Sequence, residues 1–177
     1  MITLREEKGT QLTHQEMDEN FKSVMGGHNF LHIQDQKPQG TPGGTFTSGA
    51  WWTRDLNTIL TNTITGASLA NNQITLPAGK YYVEASALAR NVATNVVRIT
   101  NGQGGYLCGF PIGTDQNNIG VPASVFGIIV LSGETHFNLE HRCQTTNNTH
   151  GFGRASNFIT EVYSDIRIWR IGEYVAP

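Results

Sequence analysis

Three stretches of this chain change character at every second residue, and that period of two restricts the fold more than any other feature. In "KYYVEASALAR", residues 80–90, Tyr81, Val83, Ala85, Ala87 and Ala89 fall on one side. Tyr82, Glu84, Ser86, Leu88 and Arg90 fall on the other. In "THFNLEHRC", residues 135–143, Phe137, Leu139, His141 and Cys143 oppose His136, Asn138, Glu140 and Arg142. In "EVYSDIRIWRI", residues 161–171, Val162, Ile166 and Ile168 oppose Tyr163, Asp165, Arg167 and Trp169. Successive side chains of a strand point to opposite faces, so each stretch reads as a strand with one face for a core. Shorter strands are expected near 45–56, 73–76, 95–100 and 106–110. The turn signals "PAG", "NGQGG", "TDQNN", "LSGE" and "TTNN" punctuate them. Short antiparallel strands recurring about every ten residues predict an all-β sandwich or jelly roll.

"SVFGIIVL", residues 124–131, departs from this pattern. Val125, Ile129 and Leu131 share one face, and Phe126, Ile128 and Val130 share the other. A surface strand of an antiparallel sandwich has one wet face, so two dry faces need a second cover. Another subunit or a long loop of the same chain would supply it.

The N-terminal stretch is of another kind. Eight of the 26 charged residues precede residue 23, and the remainder is rich in Thr, Asn and Gly. Thr13 with Glu16 three residues later forms a capping box, and Glu16, Asp18 and Glu19 suit the positive end of a helix. Met17, Phe21 and Val24 then share a helical face before Gly26 and Gly27 stop the helix. A helix this short needs a partner for its apolar stripe. The expected division is an anchor segment over 1–29 and a β domain over 30–177.

Composition sets further limits. A domain of 177 residues buries roughly two thirds of its unfolded surface and needs no disulfide staples. Cys108 and Cys143 are expected as free thiols, a bridge between them being the alternative. A net charge of -2 without clustered Lys and Arg gives no footing for nucleic acid. No run of 18 apolar residues is present, so membrane insertion is not expected. "MITLREEKGT" lacks the features of a signal peptide, which points to synthesis in a cytoplasm.

Catalytic signals are absent. On a strand His28 and His32 stand about 13 Å apart, and His136 and His141 fall on opposite faces. No H-x-H, H-E-x-x-H, C-x-x-C or G-x-S-x-G occurs, and "NGQGGY" lacks the G-K-[ST] ending of a phosphate loop. Neither a metal nor a cofactor is expected, and the chain is read as a non-enzyme. Trp51 and Trp52 should point to opposite faces, one to the core and the other to an interface or a sugar. Arg54 and Asp55 are expected to form local ion pairs.

"KGTQLTHQEMDENF" resembles the N-terminal segment of many bacteriophage tail-fibre and tail-appendage proteins, through Gly9, Leu12, Thr13, Glu16, Asp18, Asn20 and Phe21. "HIQDQKPQGTPGGTFTSGAWWTRDLNT", "LPAGKYYVEASA", "SGETHFNLEHRC" and "EVYSDIRIWR" resemble a phage and virus module related to the C1q and tumour-necrosis-factor jelly rolls. The second likeness spans about residues 30–171. It implies a ten-stranded C1q/TNF-like antiparallel jelly-roll sandwich, assembled as a homotrimer and preceded by the short helix. The Gly-X-Y stalk of C1q proteins is missing.

These resemblances imply a virion protein made in the host cytoplasm: a tail fibre or receptor-binding protein. Its N-terminus would hold a tail or baseplate protein, and its trimeric jelly roll would grip a host-surface glycan or protein, a saccharide being the expected ligand. A head fibre or capsid decoration protein is the alternative within the same fold, and a glycan-degrading tail enzyme is the alternative outside it. Candidate anchor residues are Leu12, Met17, Phe21 and Val24. Candidate trimer contacts are Phe126, Ile128, Val130 and Trp52. Candidate receptor-binding loop residues are Tyr106, Asp115, Asn117, Asn118, Asn147, Asn148 and His150, because short polar side chains suit sugar hydroxyls.

Overall fold

The computed structural model describes residues 8–25, 29–102, 105–114 and 120–174. Helix α1 (His14–Met25) opens it. Its capping box forms as the sequence predicts: the Thr13 N–H donates to Glu16 Oε2 at 2.7 Å, and the Glu16 N–H donates to Thr13 Oγ1 at 3.2 Å. The ammonium of Lys8 joins the same carboxylate. Glycines 26 and 27 lie outside the described residues.

Among the described residues, twelve antiparallel strands follow. Five of them form one sheet in the order β10 (Gly120–Leu131), β6 (Gly79–Arg90), β12 (Glu161–Gly172), β1 (Phe30–Lys37), β3 (Thr58–Asn62). The other sheet runs β4 (Ser68–Ala70), β5 (Gln73–Leu76), β11 (Thr135–Cys143), β7 (Ala93–Thr100), β8 (Gly105–Cys108). The short strands β2 (Trp52–Thr53) and β9 (Ile112–Thr114) join it against β11 and β7.

The main core lies between the sheets. The odd-numbered row of β6, from Tyr81 to Ala89, is buried throughout, as are Phe137, Leu139, His141 and Cys143 of β11. Leu31 and Ile33 of β1, and Val125, Ile129 and Leu131 of β10, complete the five-stranded side. Burying each such aliphatic side chain stabilises the fold by about 1.5–3 kcal/mol, which is why the period of two fixes register. A smaller cluster of Phe46, Ala89, Val92 and Cys143 closes one end, with Phe152 against it. Both cysteines are free thiols, and burial pushes that of Cys143 up to about 11.

One sequence expectation fails inside β12. Asp35 pairs with Ser164 but Gln36 pairs with Val162, so Tyr163 is an extra residue, a β-bulge. The bulge resets the alternation. Tyr163 is buried and Val162 is exposed, the reverse of the strict period. Gly153 accommodates the buried ring: a Cβ there would lie 2.3 Å from Tyr163 Cδ1, and its φ of +131° disfavours any side chain.

The topology separates the two ends of the sandwich. β1 starts at Phe30 opposite Trp169 and ends at Lys37 opposite Glu161. The start of β1 and the end of β12 therefore mark one end, termed near. The segment before β12, the segment after β1 and the β6–β7 connection, which crosses between the sheets, belong to the far end, roughly 25 Å away at about 3.3 Å per residue.

Candidate functional site

Two regions of the jelly roll carry unsatisfied surface: the outward face of the five-stranded sheet and the far end. On the first, register places side chains in rows across the strands. Ile128, Tyr82, Trp169 and Phe30 form an apolar row, with ring centroids 5.8 Å apart for Tyr82–Trp169 and 5.0 Å for Phe30–Trp169. The next row reads Phe126, Glu84, Arg167, His32. The one beyond reads Ser124, Ser86, Asp165, Gln34. Asp165 joins the two rows. It accepts from Gln34 Nε2 at 2.6 Å and from Arg167 Nε at 3.1 Å, and its Oδ2 lies 2.7 Å from His32 Nε2. A hollow of about 520 Å³ opens among Glu84, Ser86, Ser124, Phe126, Asp165 and Arg167.

The sheet ends at β10, and there the two-sided strand is uncovered. Phe126 is 58% exposed, Ile128 51% and Val130 55%, while Val125, Ile129 and Leu131 are buried behind them. Among the described residues, no loop of the same chain covers the second face. A long edge strand with an exposed apolar stripe invites association.

Trp52 is not part of this face. It belongs to β2 in the other sheet, opposite His141, with its indole N–H donating to Thr47 O at 2.8 Å. Trp51 is not core either: it lies under the Arg98 guanidinium at 4.0 Å, and Arg98 pairs with Glu140 at 2.7 Å. Neither ring is core: Trp51 precedes β2, and both residues of that two-residue strand are exposed.

The ion pairs expected at Arg54 and Asp55 form for Asp55 alone. Asp55 points out and pairs with Lys37 at 2.8 Å. Arg54 points in, buried, and donates to Ser164 Oγ and Tyr163 O, both at 3.0 Å. Burial and nearby charge shape this interior: desolvation lowers the Arg54 pKa to about 10 and raises that of Asp35.

The loop candidates divide. Tyr106 lies on β8 beside the Thr100–Gly105 pair, at the other end of β7 from the β6–β7 connection. It is thus apart from Asn147, Asn148 and His150, which lie at the far end. Asn147 is committed to its own turn: Oδ1 accepts the N–H groups of Thr149 and His150, and Nδ2 donates to Arg90 O at 3.0 Å. Asn148 is exposed and His150 half-buried. Asp115, Asn117 and Asn118 lie outside the described residues. In α1, Leu12 precedes the helix half-buried and Met17 is exposed on it. The side chains of Phe21 and Val24 lie outside the described part.

The far end also holds a feature that alternation did not reveal. Phe158 is 85% and Ile159 71% exposed, in the segment leading into β12. Their loop is tightly laced. The Glu161 carboxylate accepts the N–H groups of Ser156 and Asn157 at 2.8 Å and of Gly40 at 3.1 Å. Gln39 Nε2 donates to Asn157 O, and the Tyr163 hydroxyl donates to Thr41 O at 2.7 Å. Those backbone N–H bonds hold the Glu161 pKa down at about 2. Among the described residues, no group of three or more His, Cys, Asp and Glu is gathered to hold a metal ion.

No protein-family model matches the chain, and no curated protein matches it in sequence. Solved structures do match. The PRD1 vertex protein P5 aligns at a TM-score of 0.52 with 15% identity, over 82% of this chain and 99% of that one. Murine APRIL aligns at 0.51 with 14% identity, over 82% and 100%. The globular domain of the zebrafish complement 1qA protein covers 84% and 100% at a TM-score of 0.47 and 13% identity. The chain has the antiparallel jelly-roll fold of the C1q/TNF type.

Proposed function

We propose that this protein is a homotrimeric virion appendage, a tail-fibre or receptor-binding protein whose N-terminal segment holds the particle and whose far end meets the host surface. The observation that carries the reading is the exposed Phe126–Ile128–Val130 stripe on the free edge of the five-stranded sheet, continuous with the Tyr82–Trp169–Phe30 row. Sister subunits would bury that stripe, as two-faced apolar strands require. The tail-segment resemblance of residues 8–21 and the fold shared with a vertex protein support the virion assignment. Three sites on one trimer would give avidity without a tight single contact.

Sedimentation of the purified protein should give three 19.4 kDa chains per particle, and a monomer would overturn the trimer. Removing residues 1–25 should leave a soluble trimer that no longer joins virions; retained incorporation would overturn the anchor. A decoration protein at a capsid vertex is the second reading, favoured by the likeness to PRD1 vertex protein P5. Immunogold labelling of virions separates the two.

A further inference from the structure

We propose that Glu84 of one copy pairs with Arg167 of the next, so that a belt of ion pairs lies inside the trimer contact and fixes its register. This rests on the trimer reading above and names what a second copy supplies to the face of the five-stranded sheet.

Glu84 and Arg167 are register partners on β6 and β12, yet they do not pair within the chain. The Arg167 Nε donates to Asp165 Oδ1 at 3.1 Å, and Glu84 Oε1 accepts the Tyr82 hydroxyl at 3.1 Å. Among the described residues, no further hydrogen bond or ion pair engages either side chain. Asp165, by contrast, is also engaged by Gln34 and His32. The charges left open in these rows are therefore the Glu84 carboxylate and the outer edge of the half-exposed Arg167 guanidinium. They lie in the row next to the apolar one, whose edge member Ile128 belongs to the stripe that needs a cover.

Symmetry brings the two charges together. The chain enters β1 at the near end, so attachment through the N-terminal segment sets the trimer axis along the strands. Rotation about that axis leaves every row at its own height. The apolar row of one copy then meets that of its neighbour, and the row Phe126, Glu84, Arg167, His32 meets its own counterpart. A ring of three uses a head-to-tail contact, so different parts of one row face each other. Glu84 stands one strand in from the β10 edge, and Arg167 one strand beyond it. Burying the edge stripe of one copy against the row of the next therefore offers a carboxylate to a guanidinium. The hollow of about 520 Å³ beside Glu84, Phe126 and Arg167 leaves room for the incoming side chain. Either charge buried alone would oppose assembly, and the pair removes that cost. A copy slipped by two residues, about 6.6 Å, would set the charges against the apolar row instead. The belt thus rejects a misaligned contact that apolar surfaces alone would tolerate.

The test is complementation between chains, read by sedimentation of the full-length protein across a dilution series. Glu84→Lys and Arg167→Glu should each raise the concentration of half-dissociation at least about tenfold, with strand content unchanged by circular dichroism. In an equimolar mixture, two of the three contacts of a mixed trimer join opposite charges. The mixture should therefore form trimer at concentrations where either variant alone is monomeric. A pair confined to one chain cannot be restored this way, because it is broken in both variants. Failure of the mixture to recover, or single variants as trimeric as wild type, would overturn the belt and leave the trimer reading standing. A monomeric wild type would overturn both. Where a reversed charge prevents folding, Glu84→Gln and Arg167→Gln replace the pair. Their double variant should then dissociate no more readily than the weaker single one, and fully additive losses would overturn the belt.

Discussion

The guanidinium of Arg54 stacks 4.0 Å above the ring of Phe152, and none of the described carboxylates lies within ion-pairing distance of it. A buried cation is held here by carbonyls, a hydroxyl and an aromatic face. The arrangement ties three segments together, since Arg54 precedes β3, Phe152 lies in the far-end loops, and Tyr163 and Ser164 form the bulge of β12.

Arg54→Ala removes those donors and opens a cavity, so it should lower the unfolding free energy by about 3–5 kcal/mol. Arg54→Met restores much of the volume but leaves Tyr163 O without its donor, and should cost about 1–3 kcal/mol. Denaturant titration of the three proteins checks both values. Equal stability of wild type and Arg54→Ala would contradict the account.

His141 predicts an acid sensitivity. Its Nε2 lies 2.8 Å from Asn95 Oδ1, while its Nδ1 is buried without a partner, so protonation would place a charge where nothing stabilises it. Burial, with Arg54 nearby, lowers its pKa to about 2. The unfolded chain titrates near 6.5, so above that pH both states carry the same protons. Between 6.5 and about 2 the unfolded state binds one more, and stability falls as pH falls, by up to about 1.4 kcal/mol per unit. His141→Gln should flatten this slope by one proton between pH 3 and 6, read from denaturant midpoints across pH.

The β10 stripe predicts a loss of assembly without a loss of fold. Ile128 lies in the middle of the stripe, exposed, and its substitution leaves the buried Val125, Ile129 and Leu131 in place. In the proposed trimer, Ile128→Asp would place a charge in the subunit contact and should convert the assembly to monomer at micromolar concentration. A charged side chain without a partner in an interface costs several kcal/mol. Light scattering reads the mass, and circular dichroism should show the strand content intact.

The layered core was legible in the sequence because one buried face writes itself as a period of two. That is why the inward rows of β6 and β11 agree with expectation residue by residue. The signal breaks wherever geometry adds or removes a residue, and the bulge at Tyr163 carries no local mark that alternation can read. Arg54 illustrates a second limit. Local ion pairs are expected at Arg54 and Asp55, but in the connection between β2 and β3 only Asp55 finds one, with Lys37, while Arg54 is buried against Ser164 and Tyr163 O. The loop before β12 shows a third. Phe158 and Ile159 look like ordinary strand material but are exposed, in a loop whose Glu161 carboxylate bonds Gly40, 121 residues away.

That carboxylate yields the last prediction. Glu161 accepts three backbone N–H groups and is almost fully buried, and Gln at this position would keep one oxygen but turn an amide N–H₂ toward donors. Glu161→Gln should therefore release the 156–159 loop while leaving the sheets paired. Hydrogen exchange should accelerate at Ser156, Asn157 and Gly40 by an order of magnitude or more, with the β6 and β12 amides unchanged. The wild type should show the same release in acid. Its folded pKa of about 2 lies below the ordinary value of 4.5, so the contribution of Glu161 is fully present above pH 4.5 and is lost as pH falls through 2. If the Ser156 and Asn157 amides exchange equally fast in wild type and Glu161→Gln at neutral pH, Glu161 is not what holds the 156–159 loop.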